Sequence, residues 1–159
     1  IRPLSGIRVA IPRGVTMEKA KQFVLEKSDW IKKHRQMAQR HDRETGITQE
    51  LADGIDRAVA RKKLGARLNY LAQKHGYSYN RLYLRKQRTR WGSCSSKNNI
   101  SLNMKLVLLP DDLIDYVILH ELVHTRIKNH GKRFWAELEG FDIDKEDVKK
   151  RLKKYGMWL

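Results

Sequence analysis

The sequence predicts an α+β fold in which long helices pack on a small, mainly antiparallel sheet around a buried central helix. Three observations carry this. The stretch "DDLIDYVILHELVH" at 111–124 is apolar almost all round, the pattern of a helix with no solvent face. Between 77 and 104, short runs alternate apolar and polar residues in the two-residue period of half-buried strands. Upstream, two longer stretches repeat apolar residues at helical spacing.

Taken in order, the first ten residues read as a strand, with Ile7, Val9 and Ile11 alternating and Pro12-Arg13-Gly14 ending it. The chain opens at Ile1 inside that pattern, so a preceding segment and a partner strand are expected to be missing. Thr16 suits an N-cap, and Ala20, Phe23, Val24, Trp30, Ile31 and Met37 predict an amphipathic helix over 17–40. A polar loop follows. A second helix is predicted over 48–75, with Leu51, Ile55, Val59, Leu64, Leu68 and Leu71 inward, Gly54 and Gly65 weakening its continuity, and His75-Gly76 ending it.

"YNRLYLRKQ", "TRWGSCS" and "NISLNM" predict three strands, and "SKNN" supplies hairpin-turn residues between the last two. Pro110 fits the first turn of the central helix, where Asp111 and Asp112 complement its positive end. "GKRFWAELEG" and "DKEDVKKRLKKYG" then predict a short and a terminal helix. The reading groups 1–76 (strand and two helices) with 77–159 (the chemistry-bearing region) in one compact unit, as the 159-residue length allows.

Composition narrows the function classes. There are 34 Lys and Arg against 18 Asp and Glu, a formal net charge of +16, which suits an anionic partner such as nucleic acid, nucleotide or a membrane surface, but the basic residues are spread over several segments, so a solvated, soluble surface is the leading reading. No run approaches the roughly 20 apolar residues of a membrane span, and no signal peptide is visible, so a cytoplasmic location without membrane association is expected. The single Cys94 rules out an internal disulfide or a thiolate zinc ribbon. Any metal must be held by His and carboxylates.

"HELVHTRIKNH" at 120–130 supplies such groups. Residues four apart on an α-helix lie about 40° apart around the axis and roughly 6 Å along it, so His120 and His124 project from one face as two neighbouring ligands. Glu121, roughly 100° from His120, reaches a water on such an ion more easily than the ion itself. A random chain of this composition would show the pattern only on the order of 0.01 times. Two His and a Glu in an apolar helix would also carry a desolvation cost that a metal removes. The alternative is a pair of hydrogen-bonded core histidines.

The third ligand is less direct. If the helix continued, His130 would lie roughly 80° off the ligand face and about 15 Å along the axis. Asn129-His130-Gly131 is helix-breaking, so a reversal there would bring His130 back. The His120-to-His130 spacing matches His-Glu-x-x-His-x-x-Gly-x-x-His, but Ile127 replaces the turn glycine. Glu137 and Glu139 are the competing third ligands.

"RTRWGSCSSKNNISLNMKLVLLPDDLIDYVILHELVHTRIKNHGKRFW" closely resembles the YgjP-like metallopeptidase family, a zincin-type group related to the SprT-like and WLM proteases. The match is carried by Arg-Trp-Gly-Ser-Cys-Ser and by His-Glu-Leu-x-His followed by Asn-His-x-x-x-Phe-Trp, with "PRGVTMEKAKQFVLEKSDWIKK" a weaker part. The resemblance implies a zincin-like fold, Zn2+ on His120, His124 and His130, Glu121 as catalytic carboxylate, and the Trp91–Cys94 strand beside the active-site helix. Gly131 stands where many relatives carry Ser, and the region before Tyr77 is shorter and more helical than in many of them.

The expected reaction is hydrolysis of a peptide bond by a zinc-activated water whose proton passes to Glu121. Two alternatives stand beside it: a nucleoside triphosphate (UTP) pyrophosphatase using the same site, and a nucleic-acid-associated, SprT-like protease or binding module. Trp91, Gly92, Ser93 and Asn103 are candidate substrate-binding residues, with Trp91 also suited to the core. By residue type, Arg88, Arg90, Asn103 and Tyr155 are candidates for an oxyanion site. Cys94 reads as a small packed residue, Phe134 and Trp135 as anchors of the reversal, and His34, His41 and His75 as surface residues.

Overall fold

The structure is a computed structural model and describes residues 9–47, 49–87, 89–141 and 143–155. It divides into two compact units, Ile1–Glu50 and Leu51–Leu159. Most of the strand expected over the first ten residues lies outside the described residues, and residues 9–12 are not in a strand.

In the first unit, α1 (Met17–Glu26) begins where Thr16 accepts a hydrogen bond from the Lys19 amide at 3.4 Å. The single helix expected over 17–40 is two: α1 ends at Glu26 with Lys27 as its C-cap, and α2 (Ser28–Thr45) restarts at Ser28-Asp29, a polar pair suited to a helix start. Gly46, with φ of 66°, follows α2 in the left-handed conformation that glycine adopts without cost. Phe23 and Trp30, expected inward, are exposed.

The second unit holds the core. The helix expected over 48–75 divides at Gly54 into α3 (Gln49–Asp53) and α4 (Arg57–Lys74), the latter capped by Asp56 accepting from the Val59 amide at 2.8 Å. Leu64, Leu68 and Leu71 are buried as expected, joined by Ala60 and Ala72, whereas Leu51 and Val59 face solvent. Gly76 takes φ of 66° at the predicted stop.

Three strands follow: β1 (Leu82–Arg85), β2 (Gly92–Cys94) and β3 (Ile100–Asn103), in the spatial order β1-β3-β2. β2 and β3 form the expected antiparallel hairpin, closed by Asn98 at φ of 55°. β1 pairs parallel with β3, Leu82 opposite Ile100, so the sheet is mixed rather than mainly antiparallel. Alternation in sequence reports which face a residue takes, not the direction of its neighbour strand.

A 3-10 helix, Met104–Leu108, not foreseen in the sequence, links β3 to α5 (Asp111–Val123). α5 packs against α4, β2 and β3 and against α6 (Lys132–Glu139) and α7 (Lys145–Lys154). Ten of its residues, from Leu113 to Val123, are buried, which is why its sequence has no polar face. Among the described residues no helix is long and apolar enough to cross a membrane.

Candidate active site

α5 carries His120 and Glu121 in its last turn and stops immediately after them. Val123 is its final residue, and His124 is the C-cap. The turn tightens there: the amides of Thr125 and Arg126 bond to Leu122 and Val123 carbonyls at 2.9 and 3.0 Å. The reversal therefore begins at His124, several residues before the Asn129-His130-Gly131 break read from the sequence. Gly131, at φ of −73°, is the N-cap of α6 and needs no left-handed backbone. The early turn is what returns His130 to the helix end.

The three imidazoles converge. His130 Nε2 lies 3.1 Å from His120 Nε2 and 3.0 Å from His124 Nε2, and one ligand atom from each ring falls within a 4.8 Å cluster. Three bonds of about 2.0–2.1 Å to a tetrahedral ion place nitrogens roughly 3.3 Å apart, so this donor set fits a metal of zinc's size. The His124 Nδ1–H points at the Ile127 carbonyl, 2.9 Å away, which leaves the Nε2 lone pair facing the cluster. Phe134, fully buried, packs on all three rings with centroids 4.5–4.9 Å distant, and Trp135 stacks on His130 at 5.6 Å. These aromatics hold the reversal against the core.

Burial shifts the titration of His120, His124 and Glu121. His120 is held neutral, its pKa pushed down to about 3 by burial, with His124, His130 and Lys149 adding repulsion. Burial also lowers His124, and His130 and Lys128 oppose its charged form further, while the bond to Ile127 works the other way. Glu121 is pushed up to about 8 by burial, against the pull of Arg90. Its Oε2 and the His120 Nδ1 are buried polar atoms with no hydrogen-bond partner among the described residues. Such atoms in an apolar helix are expensive without a charge or ligand to face.

Above these groups opens a cavity of about 420 Å³. Glu121 and the three histidines form one wall; Gly92, Ser93 and Cys94 of β2 form another, with Thr89, Arg90 and Lys128 at its sides. Lys128 Nζ is fixed by the Ser95 carbonyl at 2.9 Å and Asn98 Oδ1 at 2.5 Å, and stands 3.6 Å from Cys94 Sγ. The Cys94 thiol is raised by burial, with Lys128 acting against that rise.

The sequence profile of the YgjP-like metallopeptidase domain matches residues 45–155. The chain belongs to the YgjP-like metallopeptidase family. Two solved structures share the fold of this family member. The metallopeptidase zymogen of Pyrococcus abyssi abylysin aligns with a TM-score of 0.52 and 20% identity, over 58% of this chain and 94% of that one. The metallopeptidase zymogen of Methanocaldococcus jannaschii jannalysin aligns at 0.51 and 25%, over 58% and 95%. No curated protein matches the chain.

The site residues read from the sequence divide cleanly. His120, Glu121, His124 and His130 meet, with Gly92 and Ser93 across the cavity. Trp91 does not line it; at 1% exposure it belongs to the core. Asn103 also lies off the cavity, fully buried, its Nδ2 donating to the Gln87 and Arg90 carbonyls at 2.9 and 3.0 Å. Its work is to hold the segment that carries Arg90. Of the oxyanion candidates only Arg90 lines the cavity; Tyr155 does not, and Arg88 lies outside the described residues.

Glu137 and Glu139 stand apart from the cluster. Glu137 accepts from Tyr77 Oη at 2.6 Å and pairs with Arg126 at 3.5 Å, and Glu139 pairs with Lys145. Thr89 and Lys128 were not read from the sequence as site residues. For Lys128 the available signal was its place in the turn between the second and third His.

Proposed function

We propose that this chain is a zinc-dependent peptidase in which His120, His124 and His130 hold the ion and Glu121 handles the proton. The convergence of three Nε2 atoms on one point at the floor of an open cavity carries this reading. Three imidazole nitrogens suit zinc among the common divalent ions. Bound there, zinc would supply Lewis acidity and an open coordination position.

The chain's own residues do the rest. In its ionised form, which Arg90 favours against burial, the Glu121 carboxylate can take a proton from the attacking water and return it to the leaving amine. The glycine at 92 lets that carboxyl stand directly against β2. Arg90 supplies the positive charge that brings Glu121 back toward its ionised form and a donor at the cavity side. The His124 ring is oriented by the Ile127 carbonyl and packs on Phe134, and the His130 ring stacks on Trp135.

A second reading keeps the same residues but exchanges the substrate for a nucleoside triphosphate such as UTP. It is favoured by the cationic sides of the cavity, Arg90 and Lys128, where Glu121 is the single acid in the lining. The test compares wild type with Glu121→Gln after zinc loading. Both should hold about one zinc per chain, while the variant loses about 10²–10⁴-fold of turnover. Unfolded polypeptide is the expected substrate, and turnover of UTP alone selects the second reading. A wild type that retains no stoichiometric zinc overturns both.

A further inference from the structure

A second and larger cavity, about 770 Å³, lies in the same unit between α4 and the segment entering β1. None of the catalytic cavity's lining residues belongs to it. We propose that this groove binds single-stranded nucleic acid, with Arg61, Lys62 and Arg81 on the phosphates and Tyr83 as a stacking platform for a base.

The charge on α4 is sorted by direction. Lys63 pairs with Asp111, and Arg67 with Asp115, both on α5. Arg61, Lys62 and Arg81, which line the groove, join no ion pair among the described residues, and no acidic side chain lines it. Three uncompensated cations along one concave surface make a local positive field that the chain's net charge of +16 reinforces.

The shape suits a chain of bases. Gly65 and Ala66 leave the helix side of the floor nearly bare, and Leu82 completes it; a Cβ on Gly65 would already touch Leu82 at 3.6 Å. The Tyr79 hydroxyl donates to Asn69 Oδ1, which fixes that ring as a wall. Tyr83 is 37% exposed, and the Arg85 guanidinium sits over its ring at 5.6 Å. A cationic groove with accessible aromatic faces binds single strands with little regard to sequence.

A polypeptide added as a strand is the competing occupant, because β1 is an edge of the sheet. That edge is already interrupted. Arg57 Nη2 donates to the Leu84 carbonyl at 3.2 Å, so the outer side of β1 offers no continuous ladder.

The experiment measures fluorescence anisotropy of labelled 20-nucleotide DNA and RNA, and of the corresponding DNA duplex, with the full chain at 50–200 mM salt. Single strands of either sugar should bind more tightly than duplex. The triple change Arg61→Gln, Lys62→Gln, Arg81→Gln should weaken binding at least tenfold and reduce the salt slope by about 2. Tyr83→Ala should weaken it by about fivefold or more with the slope kept. A control of equal charge, Lys21→Gln, Lys27→Gln, Lys33→Gln, should stay within about twofold. Thermal melting confirms that each variant folds, and zinc content with peptidase turnover should be unchanged in all of them. The proposal is overturned if the control loses as much as the groove variant, or if Tyr83→Ala binds like wild type. It is equally overturned if no single strand binds at 100 mM salt, or if an unfolded polypeptide is held through these residues instead.

Discussion

A Cβ built on Gly92 would lie 2.6 Å from Oε1 of Glu121. The first residue of β2 and the carboxylate of α5 are thus in a contact that only glycine permits, since real Cβ atoms do not approach that closely. Gly92→Ala must push Glu121 off its position or push β2 away from the helix. The expected result is a loss of about 10²-fold in turnover, the scale on which a displacement near 1 Å acts on a reacting group. Zinc stoichiometry should be unchanged, because the three atoms nearest the added methyl group all belong to Glu121. Turnover within a factor of about three of wild type would mean that β2, and not Glu121, gives way to the added methyl group.

The third ligand is tested by contrast. His130→Ala removes one of the three converging nitrogens and should weaken zinc binding beyond the roughly 10–100-fold that outer partners cost. Glu137→Ala breaks the bonds to Tyr77 and Arg126 instead. It should cost about 1 kcal/mol of stability and leave zinc affinity within a few-fold. Competition with a calibrated chelator reads both. The opposite ranking would move the third ligand to the carboxylate.

How much of this was legible beforehand depended on what kind of information each feature needs. The start of α5 and the common face of His120 and His124 follow from local chemistry and helical geometry, so Pro110, the two aspartates and the four-residue spacing were enough. The end of α5 was not, because Thr125-Arg126-Ile127-Lys128 contains no helix breaker. The helix stops there because the chain is drawn back to place His130 and Phe134, a tertiary demand. Likewise, alternation located β1 and β3 but carried no information on their parallel pairing.

Asn103 shows the same limit from another side. A polar residue in a strand near the motif read as substrate-binding, yet its side chain bonds backbone groups that include the Gln87 and Arg90 carbonyls and the Lys105 amide. Truncation by Asn103→Ala leaves these buried groups without their partner. The expected cost is about 2–4 kcal/mol in urea unfolding, given roughly 1 kcal/mol or more for each stranded group. Asn103→Asp keeps the shape but points a carboxylate at two carbonyls, and should be at least as damaging at pH 7. If both variants melt like wild type while substrate KM rises, Asn103 belongs to the site after all.

The ion pair that ties the first turn of α5 to α7 gives a pH prediction. Arg151 Nη1 donates to Asp112 Oδ2 at 2.6 Å and Nη2 to Oδ1 at 3.1 Å. The guanidinium bond holds the Asp112 carboxyl below its ordinary value of 3.8 against the opposing effect of burial, with the Arg151 charge and the backbone amides of the helix start adding to the lowering. A folded pKa lower than the unfolded one means that the unfolded chain binds more protons between the two. Stability from this pair is therefore complete above about pH 4 and is lost as pH falls through the lower, folded value. Because the Asp112 side chain is 54% exposed, solvent screening limits the contribution to about 0.5–1 kcal/mol. Asp112→Asn should be less stable than wild type by that amount at pH 7 and low salt. The gap should shrink in 1 M NaCl and close as the pH falls through the lowered, folded pKa of Asp112. A difference that persisted unchanged into acid would show that the asparagine disturbs the packing of the α5 start rather than its charge.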